Sequence, residues 1–440
     1  MTSLPQRLLI LPLFAPLPAA QTQVQAPLPQ VDDGFIVCFD EGATSEQIEA
    51  YHAARGLKYN NESRWPGAQG DPVTITWSFI PDGVSIPGNL GEPTAPNNLF
   101  ATMDAAFGGN RAQWVGLMQD SFDRWEELSG INFERITFGG NDWDDGAAWG
   151  NNGNANRGDI RISMHFIDGT PSVSVLAYAR LPNFSNPGDI IMDSAEDWGD
   201  PFRSHIFLRN IMMHELGHSL GQRHVCSNGI RFLMEPLFVN NIDGPRHDEI
   251  RAAHRNYGDV NEPDNNFLQA TDLGVISGAP STVGIPLPDP IFGGNPGASS
   301  LVSIDANGEQ DWYSFTLETA STFSASVTPR GLIYDDSDQQ FDGSCPGTSS
   351  NIDSLSQQNL ALQLYDTNGT SVLRQASSSG LGKSESLSHP LLQPGTYYLR
   401  VYETNFSNQS QLYLLDLEAR RRFFSKAPIP TSVIDLIISL

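Results

Sequence analysis

Cysteine is scarce in this sequence of 440 residues, in which only Cys38, Cys226 and Cys345 occur. Three thiols form at most one bridge with one left over, which excludes a small scaffold held together by disulfides. Stability must therefore come from packed cores, with or without bound metals, and an apolar content of 39% is ample for such cores. A chain of this length is expected to fold as two or three domains.

Basic residues and long apolar runs are also lacking. The chain has 25 Lys and Arg against 51 Asp and Glu, a formal net charge of −26. An acidic surface of this kind repels nucleic acid and anionic membranes, so neither is expected as a partner. Beyond residue 20 no stretch reaches about 18 uninterrupted apolar residues, and no membrane span is therefore predicted.

The first 20 residues have the pattern of a secretory signal peptide. Arg7 supplies the positive charge, residues 8–15 form a short apolar run, and residues 17–20 end on small side chains suited to cleavage before Gln21. We therefore expect the chain to be exported and to act as a secreted, extracellular protein.

Two kinds of pattern divide the rest of the chain. Residues 71–259 mix strands, such as the alternating 73–79, with helices at 112–128, 208–220 and 248–257, and in the first of these helices apolar side chains recur mostly every three or four positions. Residues 260–419 are rich in Ser, Gly, Pro, Asn and Gln, and their short strands are separated by turns, a pattern typical of a β-sandwich. An α+β domain with three helices, followed by an all-β domain, is predicted. The tail at 420–440 has no assigned role.

The segment 214–224 carries the chemistry. His214 and His218 are one helical turn apart and share a face, so that both imidazoles are able to grip one metal ion. Glu215 points toward the adjoining face, within reach of a metal-bound water. Gly221 lets the backbone leave the helix in a left-handed conformation and swing His224 back as a third ligand. Three histidines and a water form the open tetrahedral arrangement of a catalytic zinc site, whereas the alternative is surface histidines on an ordinary helix.

Met234 follows the last of these histidines by ten residues, within the segment 232–236. With this methionine the region resembles the metzincin metallopeptidases, and within that clan the matrixins, whose long histidine motif precedes a methionine turn beneath zinc. The resemblance implies a zincin-type α+β catalytic domain at 71–259, with a twisted mixed sheet and three helices. Further segments similar to the matrixins are 114–133, 159–166, 175–179, 188–198 and 246–257.

The resemblance implies a zinc endopeptidase of extracellular proteins. The three histidines would hold one zinc ion, and Glu215 would take a proton from the zinc-bound water and pass it to the leaving amine. The strand at Leu176 and Ala177 is expected to pair with an extended peptide or protein substrate, and we expect a monomer. The first alternative is a secreted binding or surface protein whose protease-like domain is inactive, which the intact histidines and Glu215 argue against. The second is a metal-dependent hydrolase that acts on something other than peptides.

Some positions depart from the matrixin pattern. Matrixins commonly hold a second, structural zinc through histidines, but Tyr178 and Ile191 stand at those places, and His165 alone does not make such a site. We therefore predict no structural zinc and an ordinary strand histidine at His165. Glu235 stands where a tyrosine usually follows the methionine, so the family's substrate contacts at that position do not carry over.

Acidic residues before the active-site helix suggest calcium. The resemblance makes Asp193 and Glu196 calcium ligands with Asp189 nearby, whereas a solvated acidic loop is the other interpretation. A later acidic series allows either calcium binding or simply the polar start of a strand: Asp305, Asn307, Glu309 and Asp311.

Residues 21–70 contain a strand at 34–39 and a helix at 43–52, a unit that resembles the propeptides of many exported bacterial proteases. The alternative is an N-terminal strand and helix of the catalytic domain itself. The matrixin propeptide motif is absent, and Cys38 lies in an apolar strand, so we predict a buried thiol rather than a zinc-blocking switch. Cys226 is predicted to be packed or bridged rather than to bind metal.

Three stretches of the all-β region, 311–317, 362–370 and 392–401, resemble the bacterial pre-peptidase C-terminal domain. This β-sandwich is attached to many secreted bacterial proteases. The resemblance implies a role in secretion, substrate attachment or stability, and such domains are often removed on maturation.

Overall fold

The structure is a computed structural model that describes residues 35–39, 63–169, 174–182, 184–227, 231–284, 302–337, 339, 345, 350–407 and 409–422. The predicted signal peptide, the predicted helix at 43–52 and the tail from residue 423 lie outside this part of the chain. All described residues belong to one unit, residues 31–440. Among them, no helix combines the length and the apolar character that crossing a bilayer demands.

The N-terminal domain is built on a mixed sheet of six strands. These strands are β1 (Phe35–Phe39), β2 (Val73–Phe79), β5 (Ile131–Arg135), β6 (Ile160–His165), β7 (Val175–Arg180) and β8 (Ile190–Asp193), while the short β3 (Ser85–Ile86) and β4 (Ala95–Pro96) pair with each other. The order across the sheet is β1-β7-β8-β6-β2-β5. The pairs from β8 to β5 are parallel, whereas β7 is antiparallel to both β8 and β1. The sheet therefore ends in β1, and β7 lies one strand inside that edge.

Four helices occur among the described residues, one more than the three predicted for residues 71–259: α1 (Leu99–Ala106), α2 (Arg111–Glu126), α3 (Ile206–Ser219) and α4 (His247–Tyr257). The additional helix is α1, whose eight residues bury only Leu99, Phe100 and Met103, too few to show a helical period. The apolar stripe of α2 packs on α3, where the indole N–H of Trp125 donates to the carbonyl of Met213 at 3.1 Å. This packing fixes the helix that carries the histidine motif.

The C-terminal domain is a sandwich of two five-stranded sheets with an extra strand pair. One sheet has the order β17-β16-β19-β12-β9, the other has the order β10-β20-β13-β18 with β11 also on β20, and the pair is β14–β15. Alternate side chains of the two sheets face each other, as where Phe315 stacks on Phe323 with ring centroids 4.6 Å apart. The strands are β9 (Thr271–Val275), β10 (Ser281–Val283), β11 (Val302–Ile304), β12 (Gln310–Leu317), β13 (Ser321–Arg330), β14 (Ile333–Asp336), β15 (Ser350–Asp353), β16 (Leu360–Tyr365), β17 (Val372–Ala376), β18 (Glu385–Leu392), β19 (Gly395–Glu403) and β20 (Gln411–Arg421).

The two domains meet along α4. Nδ1 of His254 lies 2.8 Å from the hydroxyl of Ser303, and Nε of Arg251 donates to the carbonyl of Ser410 at 3.0 Å. Tyr334, on β14, is buried in a cluster with Val225, Phe232 and Met234 of the N-terminal domain. The β14–β15 pair is therefore set against the chain that follows the histidine helix.

Candidate metal centre

Helix α3 ends at Ser219, between the second and third histidines of the motif, so that the chain is free to turn back toward the helix. The N–H of Gln222 donates to the carbonyl of Gly217 at 2.9 Å, and Gly221 between them has φ +93°. A Cβ at Gly221 would lie 1.7 Å from the carbonyl oxygen of Ser63, so only glycine fits this left-handed position. The chain turns back at this glycine and brings His224 beside the helix.

Met234 packs directly against this helix. It is fully buried, and a Cβ at Gly217 would lie 2.4 Å from its sulfur, so the glycine permits the close approach. The N–H of Met234 donates to Glu249 Oε1 at 3.0 Å, and its carbonyl accepts from the N–H of Val225 at 2.8 Å. The methionine turn is thus tied to α4 on one side and to the residue after His224 on the other.

Three imidazole rings meet at one point. The Nε2 atom of His214 lies 3.0 Å from that of His218 and 3.2 Å from that of His224, and the last two are also 3.2 Å apart. The Nδ1 atom of each ring points away toward an oxygen, at 2.7, 2.8 and 2.6 Å respectively: the carbonyl of Leu233, the carbonyl of Gln222 and the side-chain amide of Gln339.

These contacts decide where the imidazole protons are. A carbonyl or amide oxygen only accepts, so each Nδ1 carries the hydrogen and each Nε2 presents a lone pair to the other two. Burial lowers the pKa of His214 to about 4 and that of His218 well below its ordinary value, which keeps these two rings neutral. Nitrogens bound at about 2.0–2.1 Å to a tetrahedral zinc lie about 3.3 Å apart, close to the spacing found here. The ring geometry and protonation therefore fit a zinc ion.

Glu215 lies beside this cluster. It is fully buried, and neither carboxylate oxygen has a hydrogen-bond partner within the described part of the chain. Burial raises the pKa of this carboxyl well above its ordinary range. A buried carboxylate without partners is costly, so its presence points to a cation, a water or a substrate that engages it in the working protein.

Strand β1 occupies the groove in which the sequence predicts a substrate. Cys38 lies opposite Ala177 in the antiparallel pairing with β7, and Ala177 and Leu176 are both fully buried. On the other side of β1, the N–H of Phe39 donates to the carbonyl of Pro236 at 3.1 Å, and the carbonyl of Phe39 accepts from the N–H of residue 238 at 2.9 Å. An extended segment of the chain itself thus lies between β7 and residues 236–238.

The cysteines follow the sequence predictions in part. Cys38 is buried, as predicted, but its sulfur also lies within 4.8 Å of ligand atoms of His214 and Glu215. The thiol is therefore buried beside the candidate metal site. Cys226 is bridged to Cys345, which confirms that it is a packed or bridged residue.

Tyr178, at one of the two positions where matrixins have histidines for the structural zinc, belongs to a hydrogen-bonded group of side chains. The hydroxyl of Tyr178 donates to Glu92 Oε1 at 2.8 Å, and Nε2 of His165 lies 3.5 Å from the same oxygen. Although burial raises the pKa of Glu92, contacts with His165, Asn89 and Tyr178 lower it to about 2. Ile191, the other altered position, is fully buried. No sequence signal had singled out Glu92.

The three carboxylates predicted as calcium ligands are not brought together. Asp193 accepts N–H groups from residues 167, 168, 169 and 195, and Glu196 accepts the hydroxyl of Ser174. Asp189, which precedes β8, accepts the N–H of Arg161 at 2.8 Å, and burial raises its pKa to about 8. Within the described residues these three do not form a group of ligand atoms within 4.8 Å of one another. The calcium assignment at these positions stays a prediction.

A different set of carboxylates converges where the two domains meet. Three follow α4 and three flank the turn between β11 and β12, and we call them the junction cluster: Asp259, Glu262, Asp264, Asp305, Glu309 and Asp311. Ligand oxygens of Glu262, Glu309 and Asp311 lie within 4.8 Å of one another. Both carboxylate oxygens of Asp305 and one each of Asp264 and Asp311 are buried without a hydrogen-bond partner among the described residues. The sequence had pointed to part of this cluster, whereas the contribution of residues 259–264 depends on the contact between domains.

Two family models match the chain. Residues 102–258 match the model described as Matrixin, and residues 309–403 match the bacterial pre-peptidase C-terminal domain. A solved structure of the pre-peptidase C-terminal domain of collagenase from Bacillus anthracis aligns with 34% of this chain and 93% of that chain at 14% identity. The TM-score of this alignment is 0.18.

Curated relatives match part of the chain. Macrophage metalloelastase of Rattus norvegicus is 32% identical over 129 residues, 29% of this chain and 24% of that protein. Matrix metalloproteinase-B of Caenorhabditis elegans is 25% identical over 215 residues, 45% of this chain and 36% of that protein. Interstitial collagenase of Oryctolagus cuniculus is 29% identical over 155 residues, 35% of this chain and 30% of that protein. The chain thus spans between 24% and 36% of the length of these relatives.

Proposed function

Because this chain contains a matrixin domain at residues 102–258 and a bacterial pre-peptidase C-terminal domain at residues 309–403, we propose that it is a secreted zinc endopeptidase that cleaves extracellular proteins. One observation carries the proposal: three buried Nε2 lone pairs converge within 3.2 Å of one another, beside the carboxylate of Glu215, which has no hydrogen-bond partner among the described residues. Both domain types are typical of secreted proteins, which supports the extracellular location.

The chemistry follows from the orientation of these side chains. Zinc, when bound, supplies a Lewis acid that polarises the scissile carbonyl and lowers the pKa of a water molecule. The carbonyls of Leu233 and Gln222 hold the rings of His214 and His218 with Nε2 turned inward. A carboxylate oxygen of Glu215 accepts the proton of the attacking water and then delivers it to the leaving amine.

The chain as a whole is proposed to be latent, with β1 as its inhibitory segment. An extended peptide binds a protease sheet by adding a strand at its edge, and β1 already fills that position on β7. The main-chain bonds of Phe39 to residues 236 and 238 close the other side of the groove. A substrate therefore enters only after β1 leaves, and removal of the N-terminal segment would activate the enzyme.

Calcium is proposed at the junction cluster. Ca²⁺ takes about 6–8 oxygen ligands, which carboxylates supply well. Burial, together with repulsion from neighbouring carboxylates, raises the pKa values of Asp264, Asp305 and Asp311 above their ordinary range. The negative charges of the cluster are therefore not fully balanced by nearby cationic side chains of the described residues. A bound divalent cation would remove this repulsion and join the end of α4 to the first strands of the sandwich.

Zinc content and cleavage of casein test the proposed function together. The purified protein should contain one zinc per chain, and after limited proteolysis of the N-terminal segment it should cleave casein. A chelator should abolish cleavage, and added zinc should restore it. The variant His218→Ala, which lacks one ligand, should lose both zinc and cleavage. A protein that binds no zinc, or whose cleavage is indifferent to the chelator, would rule out the proposal.

A further inference from the structure

One contact to the candidate zinc ligands comes from the C-terminal domain. The side-chain oxygen of Gln339 lies 2.6 Å from Nδ1 of His224, although the two residues are 115 positions apart. Gln339 is only 9% exposed. His214 and His218 are positioned by α3 and by backbone carbonyls of their own domain. His224 lies beyond the end of that helix, so its orientation depends more on what it contacts.

Residues on both sides of Gln339, namely Ser337 and Cys345, are attached to Cys226. The N–H of Cys226 donates to the carbonyl of Ser337 at 2.8 Å, and the hydroxyl of Ser337 donates to the carbonyl of Cys226 at 3.1 Å. The disulfide from Cys226 to Cys345 provides the second attachment. Both anchors are therefore made to a residue only two positions after His224.

Strand β14, which precedes Gln339 in the chain, also contacts the N-terminal domain through Tyr334. Tyr334 packs on Phe232 with ring centroids 5.0 Å apart, in the cluster that includes Met234. Its hydroxyl donates to Asp248 and accepts from Nη1 of Arg251 at 3.1 Å, both on α4. The oxygen of Gln339 is thus held by a framework that spans both domains.

We propose that Gln339 is a positioning residue of the zinc site, and that the C-terminal domain is consequently an integral part of the catalytic centre. This inference rests on the proposed function. By accepting the hydrogen of Nδ1, Gln339 holds His224 in the tautomer and ring orientation that turn the Nε2 lone pair toward the other two histidines. Removal of the C-terminal domain would remove this acceptor, so the domain acts here as a component of the enzyme and not as a detachable appendage.

Zinc affinity is the measurement that tests this role, with three variants of the full chain. Gln339→Met keeps the length of the side chain but removes the acceptor, and its zinc dissociation constant should rise about 10- to 100-fold. Gln339→Glu keeps an acceptor and should bind zinc at least as tightly as the native protein. Gln375→Met, at an exposed position of β17, is the matched control and should leave the constant unchanged. The constants are measured by competition with a chromophoric chelator.

The melting temperature of the metal-free variants separates positioning from general stability. Gln339→Met should melt close to the native protein without zinc and differ from it when zinc is present. Equal zinc affinity of Gln339→Met and the native protein would overturn the inference while leaving the proposed function intact. A loss of affinity that Gln339→Glu shares, accompanied by a lower metal-free melting temperature, would also overturn it. If the native protein binds no zinc, the proposed function and this inference fail together.

Discussion

The sulfur of Cys38 and the carboxylate of Glu215 lie within 4.8 Å of each other, both fully buried and both beside His214. They meet because β1 pairs with β7 on one side and with residues 236–238 on the other. A substrate peptide in the same groove would approach the same carboxylate. Occupation by β1 and occupation by a substrate are therefore mutually exclusive.

Weakening β1 should activate the full-length protein. Phe39→Pro removes the N–H that is donated to Pro236 and the ring that packs in a buried cluster with Tyr178. Each loss costs about 1 kcal/mol or more, so the two together should raise the fraction of open grooves about 30-fold. We expect initial rates of casein cleavage by unprocessed Phe39→Pro to exceed those of the native chain by that factor.

Two further variants divide this effect between backbone and side chain. Phe39→Leu keeps the N–H and an apolar side chain, and it should stay as latent as the native chain. Cys38→Ser keeps the backbone pairing and reports the contribution of the thiol. If Phe39→Pro cleaves no faster than the native chain while it contains zinc, β1 is a permanent strand of the catalytic sheet and not an inhibitor.

Glu215 should be needed for cleavage but not for binding the metal. After N-terminal processing, Glu215→Ala should cleave casein about 10²- to 10⁴-fold more slowly, because the proton of the attacking water loses its acceptor. Zinc content measured by atomic absorption should stay at one per chain, since the three histidines are unchanged. Near-native cleavage of denatured casein by this variant would remove Glu215 from the mechanism.

Local spacing predicts the convergence of the three histidines that the structure shows. A helical turn places His214 and His218 on one face, and the glycine at 221 explains the return of His224, because each feature depends on residues close in sequence. The family matches extend this to the two domain types. The helix α1 escaped prediction because only three of its eight residues are buried.

Long-range contacts account for what the sequence did not predict. Nothing in the composition around Gln339 distinguishes it from other glutamines, and its role emerges only from contact with a histidine 115 positions away. The pairing of β1 was likewise not predictable, because its sequence pattern indicates an apolar strand but does not indicate which strand it pairs with. Asp189 lies in the predicted acidic segment, yet its contact with Arg161 holds it in a different place from Asp193.

The disulfide should stabilise the fold and the metal site together. It closes a loop across 119 positions, and loss of such a bridge typically costs roughly 2–5 kcal/mol of unfolding free energy. The double variant Cys226→Ser/Cys345→Ser should therefore unfold at a lower urea concentration. Zinc should also be bound more weakly, because the segment that presents Gln339 loses one anchor. If urea stability falls while zinc affinity is unchanged, the Ser337 contacts alone are enough to hold that segment.

The raised pKa values in the junction cluster predict that the stability of the folded protein depends on pH, and calcium should oppose this dependence. Burial raises the pKa of Asp259 to about 7, and burial with repulsion raises that of Asp305 well above its ordinary value, while Arg255 only partly offsets this. Unfolded carboxyls titrate near a pKa of about 4. A raised folded pKa means that the unfolded state binds fewer protons between these values, so stability is lost as the pH rises. In calcium-free buffer, the melting temperature of the native protein should fall relative to that of Asp305→Asn between about pH 4 and pH 7.

Calcium should reverse the order of the melting temperatures of the native protein and Asp305→Asn, because a cation that binds the folded state stabilises it by mass action. Near pH 7.5, millimolar calcium should raise the melting temperature of the native protein more than that of Asp305→Asn, which lacks one charge. Glu318→Gln removes an exposed carboxylate outside the cluster and should behave as the native protein does in both buffers. Magnesium at the same concentration controls for ionic strength and should have a smaller effect, since its strict octahedral geometry suits a cluster of carboxylates less well. Equal calcium shifts in the native protein and Asp305→Asn would mean that calcium, if bound, is held elsewhere. In that case the acidity at the junction serves only to make the contact between the domains sensitive to pH.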